Sequence, residues 1–109
     1  MGKPSGERRG WRGEINVAAA VRIAIIGDYQ PASHAHQATE AALQHAAGHL
    51  GLSVEATWIS TASLDPLPDS ILRRYDGLWG ASGSPYASLN GALGAISFAR
   101  EHDWPFIGT

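Results

Sequence analysis

The stretch that decides the fold is residues 75–109, YDGLWGASGSPYASLNGALGAISFAREHDWPFIGT. It predicts a strand over Gly77–Ala81, a loop of small residues, a helix that Ser88 can cap, and a last strand at Phe106–Ile107. Pro105 is tolerated at the entry of that strand because its missing N–H costs little there. In open α/β sheets, ligands lie at the carboxyl ends of such parallel strands, where a sharp turn can also present a nucleophile.

The helix in this stretch is expected to bury one apolar face. Gly91 and Gly94 each cost it about 1 kcal/mol relative to alanine. We therefore expect these glycines to allow close packing or the approach of another backbone segment. The residues predicted to face inward are Leu89, Ala92, Leu93, Ile96 and Ala99.

Two further strands and a helix precede this stretch. Val21–Gly27, VRIAIIG, is a near-continuous apolar run typical of a strand buried on both faces. Val54–Trp58 alternates apolar and polar residues, which predicts a second strand with unequal faces. A helix is predicted over His36–Leu50, with Gly51 as a left-handed terminator and Leu52 folding back onto the last turn. The helical stripe, at a spacing of four, is Ala38, Ala42, Ala46 and Leu50.

The order of elements predicts the fold class. A loop at Asp65–Pro68 and at most a short helix at Ile71–Tyr75 complete the pattern β-α-β-(short α)-β-α-β. Connections long enough to cross over make the sheet parallel and right-handed. We therefore predict an α/β fold with an incomplete doubly wound parallel sheet, about four strands and helices on both faces.

Composition limits the possible functions. The chain has 109 residues, one domain's worth, with 44% hydrophobic and 17% charged residues and a net charge of −2. This charge gives no argument for nucleic acid or for an anionic membrane surface. The absence of cysteine excludes disulfides and thiolate metal sites and agrees with a reducing compartment, so we expect a cytoplasmic protein. No apolar run is long enough to predict a transmembrane helix.

The first residues differ from the rest of the chain. Residues 1–20 mix basic and acidic side chains among glycines without apolar periodicity, which predicts a disordered or loosely attached tail. Residues 21–109 are predicted to form the folded domain.

Histidines and serines offer weaker alternatives. His45 and His49 lie one helical turn apart, but no third ligand converges on them, so we interpret them as a solvated helix face. His34 and His36 share a loop and likewise predict no metal. Around Ser82 the sequence lacks the final glycine of a Gly-x-Ser-x-Gly nucleophile motif, and no phosphate-binding motif occurs elsewhere. We expect no metal and no cofactor.

A combination of short motifs resembles a known family. The resemblance covers roughly Val21–Thr109, and each motif by itself is weak. The motifs are Gly27-Asp28-Tyr29, the Ala35–Ala46 helix, Asp76-Gly77-Leu78, the loop at Gly83, the helix at Ala95–Glu101 and the strand Pro105–Thr109. Together they resemble the first half of a class I glutamine amidotransferase domain. The match is nearest to the C-terminal glutaminase domain of CTP synthase and to short stand-alone proteins related to it.

This resemblance implies a glutaminase reaction. The family's glycine-rich loop matches Ala81–Pro85, so Gly83 falls where a backbone N–H helps bind the oxyanion, with Ser84 beside it in the substrate-binding loop. Loss of such a donor typically costs about 2.7–4 kcal/mol of barrier. The nucleophile would follow Thr109, and the family's histidine and carboxylate come later. The resemblance therefore implies no catalytic residue among residues 1–109.

Several expectations follow from the resemblance. The complete protein would hydrolyse glutamine and release ammonia, as in pyrimidine biosynthesis, whereas the 109-residue chain would be inactive. We expect it to self-associate or to need a C-terminal half. The alternative is a small non-catalytic flavodoxin-like module that binds a ligand or partner. One hypothesis is that a recoded selenocysteine follows Thr109. The alternatives are that the chain is a fragment, or that it results from a pseudogene or a frameshift.

Overall fold

Four parallel strands form the centre of the computed structural model, which describes residues 20–68, 70–82 and 86–109. The strands are β1 (Val21–Ile26), β2 (Val54–Ile59), β3 (Gly77–Gly80) and β4 (Phe106–Gly108); the helices are α1 (His34–Leu50) and α2 (Leu89–Glu101). Two short 3-10 helices, Thr61–Leu64 and Leu72–Arg74, lie between β2 and β3. The second confirms the short helix that the sequence predicted.

The sheet has the strand order β2-β1-β3-β4, so β1 is paired on both sides. Ile25 in β1 lies opposite Trp58 of β2 and Trp79 of β3, and Trp79 lies opposite Ile107 of β4. All three pairings are parallel. The structure therefore confirms the predicted α/β class with a parallel sheet, and it is compatible with a flavodoxin-like fold.

Both ends of α1 have clear physical causes. Ser33 caps the first turn by accepting a hydrogen bond from the His36 N–H at 3.2 Å. Gly51 ends the helix with a φ of 68°, a conformation that glycine adopts without strain. The N–H of Leu52 donates to the Ala47 carbonyl at 2.8 Å, which confirms the predicted fold-back.

The buried face of α1 is not the stripe used to predict the helix. The buried residues are His36, Thr39 and Ala47, and the helix begins at His34 rather than His36. The exposed residues include all four of the stripe, Ala38, Ala42, Ala46 and Leu50. Alanine is small enough to lie on either face of a helix, so its spacing predicted the helix but not the direction it faces.

The predicted inward face of α2 is partly wrong. Leu89, Leu93 and Ile96 are 61%, 50% and 42% exposed, whereas the predictions for Ala92 and Ala99 are confirmed. The residues that α2 buries are Gly91, Ala92, Ala95, Phe98 and Ala99. This small-residue face packs against the 3-10 helix Thr61–Leu64.

Gly91 explains why the small residues face inward. A Cβ built on Gly91 would lie 1.9 Å from the Thr61 carbonyl oxygen, so no other residue fits without a backbone shift. This confirms the predicted backbone approach at Gly91. At Gly94 a Cβ would meet the Leu64 carbonyl oxygen at 3.8 Å, which is ordinary contact.

The two faces of the sheet are covered unequally. On the α2 side, Ala24, Ile26 and Leu78 belong to one buried cluster with residues of the connections and of α2. On the α1 side, an open apolar hollow of about 250 Å³ lies between α1 and the sheet. Its lining residues are Ile23, Leu43, Gly77, Leu78, Trp79, Pro105, Phe106 and Ile107.

Within the described residues, no helix is long and apolar enough to cross a membrane.

Candidate functional site

Asp28, which follows β1, binds two other segments at the carboxyl edge of the sheet. Its Oδ1 accepts the Thr61 N–H at 3.0 Å, and its Oδ2 accepts the Thr61 hydroxyl at 2.8 Å. Oδ2 also accepts the Ala87 N–H at 2.9 Å. One carboxylate thus joins the end of β1, the segment after β2 and the segment before α2.

Thr61 extends this network to the start of α2. It is fully buried, and its Oγ1 accepts the Ser88 N–H at 2.8 Å. The Ser88 hydroxyl accepts the Gly91 N–H at 3.0 Å and donates to Asp65 Oδ2 at 3.1 Å. Ser88 is therefore the N-cap that the sequence predicted, and its position depends on Thr61 as well as on the helix.

The electrostatics of Asp28 favour its charged form. Burial by itself would raise the pKa of this carboxyl group. The hydrogen bonds from the Ala87 N–H, the Thr61 hydroxyl and the Thr61 N–H outweigh burial, so the pKa is lowered. Any positive charge on the neighbouring His36 would act in the same direction.

His36 lies in the first turn of α1 and is only 6% exposed. Its Nδ1 accepts a hydrogen bond from the Gln30 N–H at 3.0 Å, and its Nε2 lies 3.2 Å from the Ser82 carbonyl oxygen. Both ring nitrogens therefore have backbone partners, and the side chain connects the loop after β1 to the loop after β3.

Aromatic side chains enclose the His36 ring. The centroid of the Tyr29 ring lies 6.0 Å away, stacked at 19°, and the Trp58 ring lies 4.7 Å away, tilted by 45°. The Trp58 Nε1–H donates to Glu40 Oε2 at 2.8 Å, which fixes the indole against α1. These contacts restrict the orientation of the imidazole.

The loop after β3 is held on both sides of the predicted site residues. Gly83 and Ser84 lie outside the described residues. Before them, the Ser82 carbonyl contacts His36; after them, the Tyr86 hydroxyl donates to the Ala81 carbonyl at 2.7 Å. With Ala87 bound to Asp28, the described parts of this loop are fixed at the carboxyl edge of the sheet.

Thr109 lies at the same edge, at the end of β4. Its N–H donates to the Gly80 carbonyl at 3.1 Å. Its Oγ1 accepts the Trp79 Nε1–H at 3.1 Å and lies 3.3 Å from the Gly80 carbonyl, to which the hydroxyl donates. The last residue of the chain is thus held beside the end of β3, from which the loop at Ala81 departs.

The other histidines are not part of this arrangement. His34, His45 and His49 are exposed on α1. In the part of the chain that the structure describes, no group of three His, Cys, Asp or Glu side chains is placed to hold a metal ion.

The contacts made by Asp28, His36 and Thr61 were not predicted from the sequence. Asp28 directly after the β1 run was a usable signal, because polar residues that follow buried strands gather at one sheet edge. Thr61 offered no signal, since it lies in a segment without periodicity. The sequence around His36 indicates neither its burial nor its backbone partners.

Comparison with known proteins gives the class of the chain. No protein-family profile matches it. A CTP synthase of Shouchella clausii is 29% identical over 110 residues, covering 96% of this chain. A CTP synthase of Methanopyrus kandleri is 30% identical over 91 residues, and one of Campylobacter jejuni is 30% identical over 89 residues. Each of these alignments covers 81% of this chain.

The similarity concerns a segment of those enzymes. The chain spans 21%, 17% and 16% of the length of these three relatives. An α/β fold with a four-strand parallel sheet and sequence similarity along most of the chain support a CTP synthase-related domain.

Proposed function

We propose that this chain is part of a CTP synthase-related glutamine amidotransferase and supplies the oxyanion-binding loop of its glutaminase site. The observation that carries the proposal is the similarity to CTP synthases over 96% of the chain. The arrangement of the loop after β3 is compatible with it, since its described ends are bound to His36 and Asp28 at the carboxyl edge of the sheet. Thr109 is bound to Gly80 at the same edge.

In this proposal the reaction is acyl transfer from the side-chain amide of glutamine. A nucleophilic side chain attacks the amide carbon, and the carbonyl oxygen becomes an oxyanion. The tetrahedral intermediate expels ammonia as the leaving group takes up a proton, which leaves a thioester or selenoester of glutamate. Water then hydrolyses that ester, releases glutamate and restores the nucleophile.

Gly83 and Ser84 have a specific role in this reaction. The Gly83 N–H would donate to the oxyanion, and Ser84 would lie against the bound glutamine. A backbone donor keeps this capacity whatever its side chain, so the change from the family's Pro-Gly-Gly-Phe-Gly to Ala81–Pro85 leaves the donor in place. Such donors act strongly because they need no reorganisation when charge develops.

The nucleophile is proposed to follow Thr109 directly in the complete protein. Cysteine is the family's residue at this position. Selenocysteine is an alternative with suitable chemistry, because the anion is the attacking species and a selenol ionises more readily than a thiol. The codon after that of Thr109 distinguishes the two, and a UGA codon followed by an open reading frame would support selenocysteine.

The test is glutamate release by the complete reading frame and by residues 1–109. We expect saturable turnover from the complete protein and none from the 109-residue chain. In the complete protein, Gly83→Pro removes the N–H and should lower kcat by about 10²–10³, whereas Gly83→Ala keeps the N–H and should cost less. A folded complete protein without glutaminase turnover would refute the proposal, and equal kcat for both Gly83 variants would refute the role of this N–H.

A further inference from the structure

Asn90 and Gly91 form the Asn-Gly pair of the sequence and lie in the first turn of α2. In an unfolded chain, the backbone nitrogen that follows an asparagine can attack the side-chain amide of that asparagine. A following glycine favours the attack, because it has no side chain to hinder it and leaves the backbone free to rotate. The Asn90 side chain is exposed to water. A chemically labile pair therefore lies at the surface, at the start of a helix.

The helical backbone keeps this pair from reacting. Attack closes a five-membered ring, which requires the Asn90 Cβ and the Gly91 nitrogen to be nearly eclipsed about the Cα–C bond of Asn90. The helical ψ of about −42° holds these two atoms apart. The Gly91 N–H also donates to the Ser88 hydroxyl at 3.0 Å, so its proton is engaged in the cap of α2. The attack therefore requires loss of this cap.

Packing against Thr61 blocks the rotation that would close the ring. Gly91 is buried, and the Thr61 carbonyl fills the space that a Cβ on Gly91 would need. Gly91 can turn about the Asn90 Cα–C bond only if the first turn of α2 separates from Thr61. Ser88 holds that turn in place, since its N–H donates to Thr61 Oγ1 at 2.8 Å and its hydroxyl donates to Asp65 Oδ2 at 3.1 Å.

We propose that Asn90–Gly91 is a deamidation site that opens only when the first turn of α2 leaves Thr61. In the opened state the Gly91 nitrogen loses its proton and bonds to the Asn90 Cγ, the Cγ–Nδ2 bond breaks, and ammonia leaves with a proton. Water then opens the resulting succinimide at one of its two C–N bonds. One opening gives aspartate at position 90, and the other gives isoaspartate, in which the backbone runs through the side chain. This site does not depend on the proposed glutaminase function.

The two products act on α2 in opposite ways. Aspartate places a negative charge in the first turn of α2, which has no acidic residue and where the helix dipole favours a negative charge. Isoaspartate adds a backbone carbon directly before Gly91. The added carbon displaces Gly91 from its position against the Thr61 carbonyl and moves its N–H away from Ser88. Deamidation at one residue therefore either strengthens the start of α2 or detaches it.

The first measurement follows deamidation of the 109-residue chain at mildly alkaline pH, by mass spectrometry of the peptide that contains Asn90. The rate should be at least about 10-fold higher in urea than in buffer, because only the opened state reacts. A synthetic peptide of residues 86–95 in the same two solutions corrects for the effect of urea on the reaction itself. Equal corrected rates in the folded and unfolded chains would overturn the proposal.

The second measurement tests whether the opening is local. Ser88→Ala removes the cap of α2 and should raise the deamidation rate of the folded chain by about 5-fold. Ser88→Thr keeps a capping hydroxyl and should react at nearly the wild-type rate. Ile25→Val, at a buried position of β1, is the matched control, because it lowers the stability of the whole fold by a similar amount and leaves α2 unchanged. Equal acceleration by Ser88→Ala and Ile25→Val, or none by Ser88→Ala, would overturn the local opening.

The third measurement compares the two products after chromatographic separation. The aspartate form and Asn90→Asp should melt at or above the wild-type temperature. The isoaspartate form should melt at least about 4 °C lower than the aspartate form. Equal melting temperatures of the two forms would overturn the claim that isoaspartate displaces Gly91 from Thr61.

Discussion

Thr61 donates both its backbone N–H and its hydroxyl to the carboxylate of Asp28, at 3.0 and 2.8 Å, across 33 residues of sequence. The hydroxyl of Thr61 in turn accepts the Ser88 N–H. The start of α2 therefore depends on a carboxylate that follows β1. This relationship makes the carboxyl edge of the sheet a single hydrogen-bonded unit rather than a set of independent loops.

The first prediction concerns the charge of Asp28. Asp28→Asn keeps one oxygen but turns an N–H₂ group toward donors, so at least one of the Thr61 and Ala87 bonds is lost. We expect a loss of about 1.5–3 kcal/mol in the free energy of unfolding, the usual range for hydrogen bonds to charged groups. Urea denaturation at pH 7 measures it.

Glu55→Gln is the matched control for this substitution. Glu55 is exposed and lies 3.7 Å from Arg22 in a surface ion pair, which contributes about 0–1 kcal/mol. If both amide variants lose the same stability, the Asp28 network does not stabilise the fold as described.

The second prediction is the pH dependence of the same group. Folding lowers the pKa of Asp28, so its stabilisation is fully present above the unfolded pKa of about 3.9. This stabilisation is lost as the pH falls through the lower pKa that Asp28 has in the folded state. The stability difference between wild type and Asp28→Asn should therefore be constant from pH 5 to 7 and shrink below about pH 4. A difference that stays unchanged on acidification would contradict the assignment.

The third prediction compares the two glycines of α2. Gly91→Ala places a Cβ against the Thr61 carbonyl and should destabilise the fold by about 3 kcal/mol or more, because the obstructing atom is backbone. Gly94→Ala has room and should stabilise α2 by up to about 1 kcal/mol. Thermal unfolding of both variants tests the close approach, and equal effects would argue against it.

The fourth prediction locates the expected self-association. The exposed residues Leu89, Leu93 and Ile96 form an apolar ridge along α2, a feature that promotes association. Leu93→Lys combined with Ile96→Lys should lower the sedimentation-average mass without lowering the melting temperature. Ala42→Lys, on the exposed side of α1, should leave association unchanged. Persistent association of the double variant would exclude the ridge as the contact.

The course of the backbone was predictable from local signals, but the packing direction of the helices was not. The apolar run of β1, the glycine at position 51 and the cap at Ser88 each act within a few residues, and the structure confirms all three. The inward face of α2 depends on Thr61, whose carbonyl admits only a glycine opposite it. This contact joins segments distant in sequence, so periodicity within α2 could not reveal it.

The candidate site was predictable only in part for the same reason. Gly83 and Ser84 came from resemblance and lie outside the described residues. The groups that hold the loop, Asp28 and His36, act through backbone partners far along the chain. A hydrogen bond to a backbone atom places no demand on the partner's side chain, so it leaves no pattern in the sequence at Ser82 or Ala87.

Three hydrogen-bonded indoles can serve as reporters in ¹⁹F NMR when fluorotryptophan is incorporated. Among the described residues, Trp58 donates to Glu40 of α1, Trp104 to the Tyr75 carbonyl before β3, and Trp79 to Thr109. Each indole N–H is therefore bound to a different part of the structure. Because fluorotryptophan resonances respond to the loss of such bonds, three separate signals can distinguish release of α1, opening of the β3 entry and displacement of the chain's last residue. Trp79 in particular reports on the position beside which the proposed nucleophile lies.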